Sequence, residues 1–116
     1  MRRLVASGAA LTLALALVPA SQAGTTPRKT ITIGDNFYAP AKTTVRAGTL
    51  VTWKWPDDTG DSHDVKLSSG PKGVRHFHSE EAGSGYSFRR KLTVPGTYRI
   101  VCTLHEEMRQ TITVKR

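Results

Sequence analysis

Residues 96–108 have the sequence Gly-Thr-Tyr-Arg-Ile-Val-Cys-Thr-Leu-His-Glu-Glu-Met, in which an alternating apolar segment is followed by His and Met. In its first half Tyr98, Ile100 and Cys102 stand two residues apart, with polar or less apolar residues between them. Side chains two apart share one face of a β-strand, so this pattern predicts a strand with a buried face. The strand is expected to end at Cys102, and a short loop rich in metal-binding residue types follows at once.

The rest of the chain repeats this alternation in short segments that turn residues separate, such as Pro-Gly at 95–96. Residues 68–85 lack any period, are rich in glycine and serine, and are predicted to form a long loop with at most one helical turn. So many short strands predict an all-β fold, a Greek-key β-sandwich or barrel of about seven or eight strands. The predicted strands lie around residues 30–33, 43–46, 51–55, 62–67, 86–92, 97–102 and 111–114.

The first 23 residues have the composition of an export signal. A basic start is followed by an apolar stretch over residues 4–20 and by small residues suited to cleavage before Gly24. We therefore expect a signal peptide at 1–23, a short polar leader at 24–29 and a single domain at 30–116. The mature protein is expected in the periplasm or outside the cell, without a stable membrane anchor.

The chain is basic, with 17 Lys and Arg against 9 Asp and Glu, and a formal net charge of +8. Without residues 1–23 the charge is +6, because two arginines are lost. Net charge alone does not choose between nucleic acid, anionic lipid and acidic proteins. The export signal and the scattered basic residues, which lack an aromatic stacking set, argue against nucleic acid. We expect a monomer whose partner proteins have acidic docking surfaces.

Cys102 is the chain's single cysteine, so it has no partner for an internal disulfide. In the oxidising compartment to which the chain is expected to be exported, a free thiol is open to oxidation unless it is buried or bound to metal. The residue therefore requires a specific explanation.

The explanation lies in the spacing Cys102-x-x-His105-x-x-Met108, which offers a thiolate, an imidazole and a thioether from one loop. A second histidine, His63, shares the inward face of its predicted strand with Val65, whereas Asp64 is expected to point away from the core. Two imidazoles, a thiolate and a weak axial thioether form the blue-copper ligand set, whereas zinc gains little from a thioether. The sequence therefore predicts one type 1 copper ion and one-electron chemistry.

These segments resemble the cupredoxins, specifically the plastocyanin-like and amicyanin-like proteins. The resemblance covers essentially the whole mature domain and is carried by residues 48–53, 62–65 and 95–108. The two-residue gaps of the metal-binding loop match amicyanin, whereas plastocyanins have a longer gap between His and Met. The resemblance implies that His63, Cys102 and His105 are equatorial ligands, that Met108 is axial, and that His105 is the electron port.

Two positions depart from the family pattern. Cupredoxins commonly carry Asn after the first histidine, where it braces the cysteine loop, but this chain has Asp64, which can accept a hydrogen bond from the Thr103 hydroxyl or a backbone N–H and cannot donate one. A carboxylate there is expected to favour Cu(II) and to lower the potential. The second departure is Gln110, at a position where a glycine often follows the metal-binding loop.

The segment His76-Phe77-His78 offers an alternative, because paired His-x-His motifs build the trinuclear centres of multicopper oxidases. That interpretation needs several such pairs and a His-Cys-His sequence, which this chain lacks. A binuclear purple copper site needs two cysteines. We therefore expect Phe77 to be packed and both histidines to be exposed.

The leading functional hypothesis is a mobile carrier that passes single electrons between redox partners. The alternative is a copper-binding module for storage, delivery or sensing of the metal. An enzyme acting alone is not expected, because four ligands close the site and leave no open coordination position.

Overall fold

The computed structural model describes residues 8–10, 12 and 24–116. The predicted signal peptide at 1–23 therefore lies almost wholly outside the described residues. Within the described part there is no helix that is long and apolar enough to cross a membrane. The eight strands are β1 (Arg28–Gly34), β2 (Phe37–Ala39), β3 (Lys42–Arg46), β4 (Thr49–Lys54), β5 (Lys66–Ser69), β6 (Ser87–Leu92), β7 (Gly96–Cys102) and β8 (His105–Lys115).

The strands form two four-stranded sheets, one in the order β2-β1-β4-β6 and the other in the order β3-β8-β7-β5. The pairs β1 with β4 and β3 with β8 are parallel, and the remaining pairs are antiparallel. The parallel pairs join strands that are distant in sequence, so both sheets are mixed. The predicted all-β sandwich is confirmed.

Alternation along the strands builds a core between the two sheets. In β4 the side chains of Val51 and Trp53 are buried while their neighbours are more exposed, and β7 buries Tyr98, Ile100 and Cys102 in the same way. The two inner faces meet as a sandwich core. Burial of this apolar area is the main force that holds the sheets together.

The topology brings several chain segments to one end of the sandwich. Strands β1, β4 and β7 finish there and β8 begins there, since β1 and β4 run parallel and β7 pairs with β8 through Cys102 and His105. We call this the Cys102 end. The loops that follow β1 and β4 and the turn between β7 and β8 are therefore neighbours in space.

The predicted strand boundaries differ most from the structure in three places. The strand predicted over 62–67 is observed as β5 at Lys66–Ser69, because residues 55–65 cross from one sheet to the other and join no ladder. Only an isolated bridge between His63 and Ala82 pairs this segment. Strand β1 begins at Arg28, inside the predicted leader, and β8 extends the strand predicted at 111–114.

Gln110 is buried in β8 and connects the two sheets. Its side-chain oxygen accepts a hydrogen bond of 2.8 Å from the indole nitrogen of Trp53, which lies in the opposite sheet. Its amide nitrogen donates a bond of 2.8 Å to the carbonyl of Pro40. Both ends of a buried polar side chain are thus satisfied, which explains why an amide is tolerated in the core.

Replacing Gln110 by Met keeps the side-chain volume but leaves the indole N–H of Trp53 without a partner. The free energy of unfolding of the metal-free protein should fall by about 1–3 kcal/mol. Urea unfolding measures this change, with Arg109→Met at the exposed neighbouring position as the control, expected within about 0.5 kcal/mol of the parent. Equal stabilities of the two variants would show that the inter-sheet hydrogen bond contributes nothing.

Candidate metal centre

Three of the predicted metal-binding side chains converge at the Cys102 end. The donor atoms of His63, Cys102 and His105 all lie within 4.8 Å of one another. His63 and Cys102 are buried and His105 is partly exposed. A thiol and two imidazoles at this separation form a compact donor set that one metal ion fits.

The hairpin of β7 and β8 fixes two of the three donors. Cys102 is the last residue of β7, His105 is the first residue of β8, and the two pair across a two-residue turn. The Nδ1 atom of His105 lies 3.6 Å from the Cys102 sulfur. Because both residues belong to paired strands, the backbone positions from which the two side chains extend are fixed relative to each other.

His63 comes from the crossing segment and is held by its backbone and its ring. Its backbone exchanges hydrogen bonds of 2.9 and 3.0 Å with Ala82. Its Nε2 atom lies 3.3 Å from the Thr59 carbonyl and 3.5 Å from a carboxylate oxygen of Asp35. These acceptors favour a proton on Nε2, which leaves the lone pair on Nδ1 free.

The Nδ1 atom of His63 is buried and has no hydrogen-bond partner among the described residues. A buried polar atom without a partner costs free energy, so its presence requires an explanation. The Nδ1 lone pair, the Cys102 thiol and the His105 imidazole are all ligands for copper. The residues present therefore fit such an ion.

Burial raises the pKa of the Cys102 thiol above its ordinary value. Hydrogen bonds from the backbone of Asp64 and Leu104 act in the opposite direction, and burial outweighs them. A metal that binds the thiolate therefore displaces a proton.

Met108 is fully buried in β8, on the same face as Gln110 and Ile112. Strand parity explains this position, since the three residues stand two apart. The sequence placed Met108 in a loop, whereas the structure places it in a regular strand. A side chain in a paired strand has less freedom than one in a loop.

Asp64 was expected to point away from the core, but its side chain is fully buried. Strand parity fails here because Asp64 lies in the crossing segment and not in a strand. Its carboxylate accepts hydrogen bonds of 2.7 Å from the backbone N–H of Thr103 and 2.5 Å from the Thr103 hydroxyl. A third bond of 2.7 Å comes from Nε2 of His78. Asp64 thus anchors the turn between Cys102 and His105.

The environment of Asp64 also sets the ionisation of its carboxyl group. Burial raises the pKa of Asp64, but hydrogen bonds from His78 and Thr103 lower it by more, and the net direction is downward. The group therefore remains a carboxylate at neutral pH. A buried negative charge beside the three donors favours the more highly charged state of a bound metal.

The segment His76-Phe77-His78 lies against the core through its aromatic ring. Phe77 packs with ring centroids 5.8 Å from Trp53 and 5.9 Å from Phe88, and both histidines are exposed. The bond between His78 and Asp64 was not expected. No sequence motif predicts this hydrogen bond, since the two residues are 14 positions apart and meet only through the pairing of Lys66 with His78.

The family described as copper binding proteins, plastocyanin/azurin family, matches residues 26–115. The chain belongs to this family. The match includes all four predicted ligands.

Two relatives illustrate the likeness within the plastocyanin/azurin family. Amicyanin-alpha of Methylorubrum extorquens is 28% identical over 102 residues, covering 88% of this chain and 82% of that protein. Halocyanin of Natronomonas pharaonis is 36% identical over 75 residues, covering 62% of this chain and 44% of halocyanin. The chain therefore spans most of the first relative and less than half of the second.

Solved structures agree on the fold. An amicyanin variant in its reduced Cu(I) form superposes with a TM-score of 0.64 at 24% identity, covering 74% of this chain and 80% of that one. A copper-containing nitrite reductase from Thermus scotoductus gives a TM-score of 0.65 at 26% identity, covering 85% of this chain but 24% of the enzyme. The fold, the family and the three converging donors together identify the cofactor as one type 1 copper ion.

Replacing Asp64 by Ala removes the acceptor for the Thr103 N–H and hydroxyl. We expect the free energy of unfolding of the metal-free protein to fall by about 1–3 kcal/mol, measured by urea unfolding. Asp64→Asn keeps one carbonyl oxygen for the Thr103 N–H and should lose less. The exposed Asp61 provides the control, because Asp61→Ala should change stability by no more than about 0.5 kcal/mol. An Asp64→Ala variant as stable as the parent would contradict this role.

Proposed function

We propose that the chain is an exported carrier of single electrons whose copper is held by His63, Cys102 and His105, with Met108 as the axial ligand. The observation that carries this proposal is the convergence of a buried thiol with two imidazoles, one of which has an unpartnered Nδ1. The family match and the burial of Met108 support it.

Copper bound by this ligand set exchanges one electron between Cu(I) and Cu(II). The chain contributes rigidity, since Cys102 and His105 are fixed by strand pairing and Asp64 anchors the turn between them. It also excludes water, because His63, Cys102 and Met108 are at most 4% exposed. Donors that stay in place in both oxidation states lower the reorganisation that accompanies electron transfer.

His105 is the expected path for the electron to leave the protein. Its Nδ1 atom faces the Cys102 sulfur, while its Nε2 edge faces the exposed carboxylate of Asp61 at 3.8 Å. The His105 side chain is 20% exposed, so a partner's redox centre can approach this ring most closely. The neighbouring Leu104 is exposed and offers an apolar contact.

Catalysis by this chain alone is not supported by the site. The proposed ligands are buried, and the fourth position is assigned to a side chain that is itself in the core, which leaves no place for a substrate. The nitrite reductase likeness covers a quarter of that enzyme and supports the shared fold. Storage or delivery of copper is also less well supported, since rapid release is difficult from buried donors.

Location, partners and oligomeric state complete the proposal. The composition of residues 1–23 supports export to the periplasm or the outside of the cell. The carrier would act as a monomer between redox-partner proteins. The expectation of acidic docking surfaces on those partners rests on net charge alone.

Adding Cu(II) to the purified mature domain should give an intense blue thiolate charge-transfer band and narrow copper hyperfine splitting in the spin-resonance spectrum. Both should vanish in Cys102→Ala, because the thiolate is the source of the band. The control is His76→Ala, an exposed histidine outside the site, which should keep both signals.

The same sample should lose its colour with one electron equivalent of reductant and regain it on reoxidation, without loss of copper. A colourless protein that binds zinc as tightly as copper would contradict the proposal. Loss of copper on each redox cycle would instead favour the storage or delivery function.

A further inference from the structure

The carboxylates of this basic protein are all gathered at one end. The chain has nine Asp and Glu residues, and each lies in a loop of the Cys102 end, beside the crossing segment, or in the first residues of β8. The segment around residues 80–82 belongs to this end because Ala82 bonds to His63. The nine are Asp35, Asp57, Asp58, Asp61, Asp64, Glu80, Glu81, Glu106 and Glu107.

Two of these carboxylates stand directly at the outer edges of the proposed ligands. Asp35 lies 3.5 Å from Nε2 of His63, and Asp61 lies 3.8 Å from Nε2 of His105. Both are solvent-accessible, with side chains 58% and 72% exposed. Glu106 and Glu107 are exposed and follow His105 immediately. Any partner that approaches the His105 edge therefore meets several negative charges.

Many of the basic residues lie at the opposite end or on the flanks, whereas Lys54, Lys66 and Arg109 lie at strand positions near the Cys102 end. Arg46 and Lys115 pair in the last rungs of β3 and β8, farthest from the Cys102 end, and Arg28 and Lys91 both pair with Leu50 at the start of β4. No Lys or Arg within residues 24–116 lies within 4.0 Å of a carboxylate oxygen, and the ion pairs there all involve histidine. None of the carboxylates in that range is therefore paired directly with a Lys or Arg side chain.

The same end also holds the exposed apolar surface. Phe37 and Leu104 are the two large hydrophobic side chains that are exposed within the described part of the chain, at 53% and 44%. Phe37 pairs with Gly34 at the end of β1, and Leu104 lies in the turn before His105. Exposed apolar contacts with a charged rim are typical of transient protein interfaces. This second observation indicates an interface and not merely a solvated acidic face.

We propose that the electron-transfer partner presents a basic docking surface, with lysines or arginines around an apolar contact, to the acidic Cys102 end. This inference rests on the proposed electron-carrier function and names the kind of partner that its site accepts. It replaces the acidic partner expected from net charge. Acidic surfaces would meet the carboxylates beside His63 and His105, and like charges across an interface are costly.

The physical basis is that the local field and the net charge have opposite signs. At about 0.1 M ionic strength, charges are screened beyond roughly 10 Å, so a docked partner responds to the nearest groups more than to the whole molecule. The positive flanks still orient the molecule, because an approaching cation is repelled there and attracted at the Cys102 end. Net charge alone predicts the reverse preference.

Two small oxidants of opposite charge test the inference on the reduced copper-loaded protein. Each accepts one electron from the protein: tris(phenanthroline)cobalt(III) is a cation and hexacyanoferrate(III) is an anion. Stopped-flow oxidation is followed by the return of the blue band while ionic strength rises from about 0.01 M to about 1 M, which shortens the screening length from about 30 Å to about 3 Å. The cation's rate should fall several-fold, and the anion's rate should rise.

Matched variants separate local from net charge. Asp61→Asn raises the net charge by one at the Cys102 end and should reduce the salt dependence of the cation's rate. Thr93→Lys raises it by one at an exposed site in the turn after β6, at the opposite end, and should leave that dependence nearly unchanged. Equal effects of the two variants would show that net charge governs the reaction and would overturn the inference.

The outcomes also distinguish this inference from the function on which it rests. If the protein is blue and reacts with both oxidants, but rising salt slows the anion's reaction and speeds the cation's, the protein is a carrier with a positive docking surface. That result overturns the inference alone. A blue protein that exchanges electrons with neither oxidant overturns both.

Discussion

The pairing of Cys102 with His105 across a two-residue turn is the constraint on which the site depends. It places a thiol and an imidazole 3.6 Å apart on one hairpin, and the Asp64 carboxylate holds the turn through two hydrogen bonds to Thr103. His63 is carried to the same point by the segment that crosses between the sheets. Because Asp64 follows His63 directly, one short segment both supplies a donor and anchors the other two.

Strand period and loop spacing were enough to predict the all-β fold and the residues that converge. Cys102 was correctly placed on an inward face because β7 is regular, and the spacing predicted that Cys102 and His105 lie together. His63 meets them although the strand from which its inward face was predicted begins only at Lys66. The prediction that Asp64 points away from the core was wrong, because the crossing segment belongs to neither sheet and its side chains need not alternate. The same two-residue alternation accounts for the burial of Gln110, because Met108, Gln110 and Ile112 stand two apart and lie on one buried face of β8.

Contacts between distant residues were beyond the reach of the sequence. The bond from His78 to Asp64 depends on how a loop without periodicity folds back on the crossing segment. The gathering of all nine carboxylates at one end depends on which loops share an end of the sandwich, and strand topology decides that. We therefore propose a basic partner surface where net charge predicts an acidic one. A copper centre of ordinary type is thus combined with an acidic end on a basic protein.

We propose that the folded chain presents a preformed copper site at His63, Cys102 and His105. Crystal structures of the metal-free and copper-loaded protein test it most directly. We expect copper bound to Nδ1 of both histidines and to the cysteine sulfur, with the backbone of the turn at 103–104 displaced by less than about 1 Å between the two states. Copper bound instead at His76 or His78 would contradict this proposal. So would a turn whose backbone changes conformation to reach the metal.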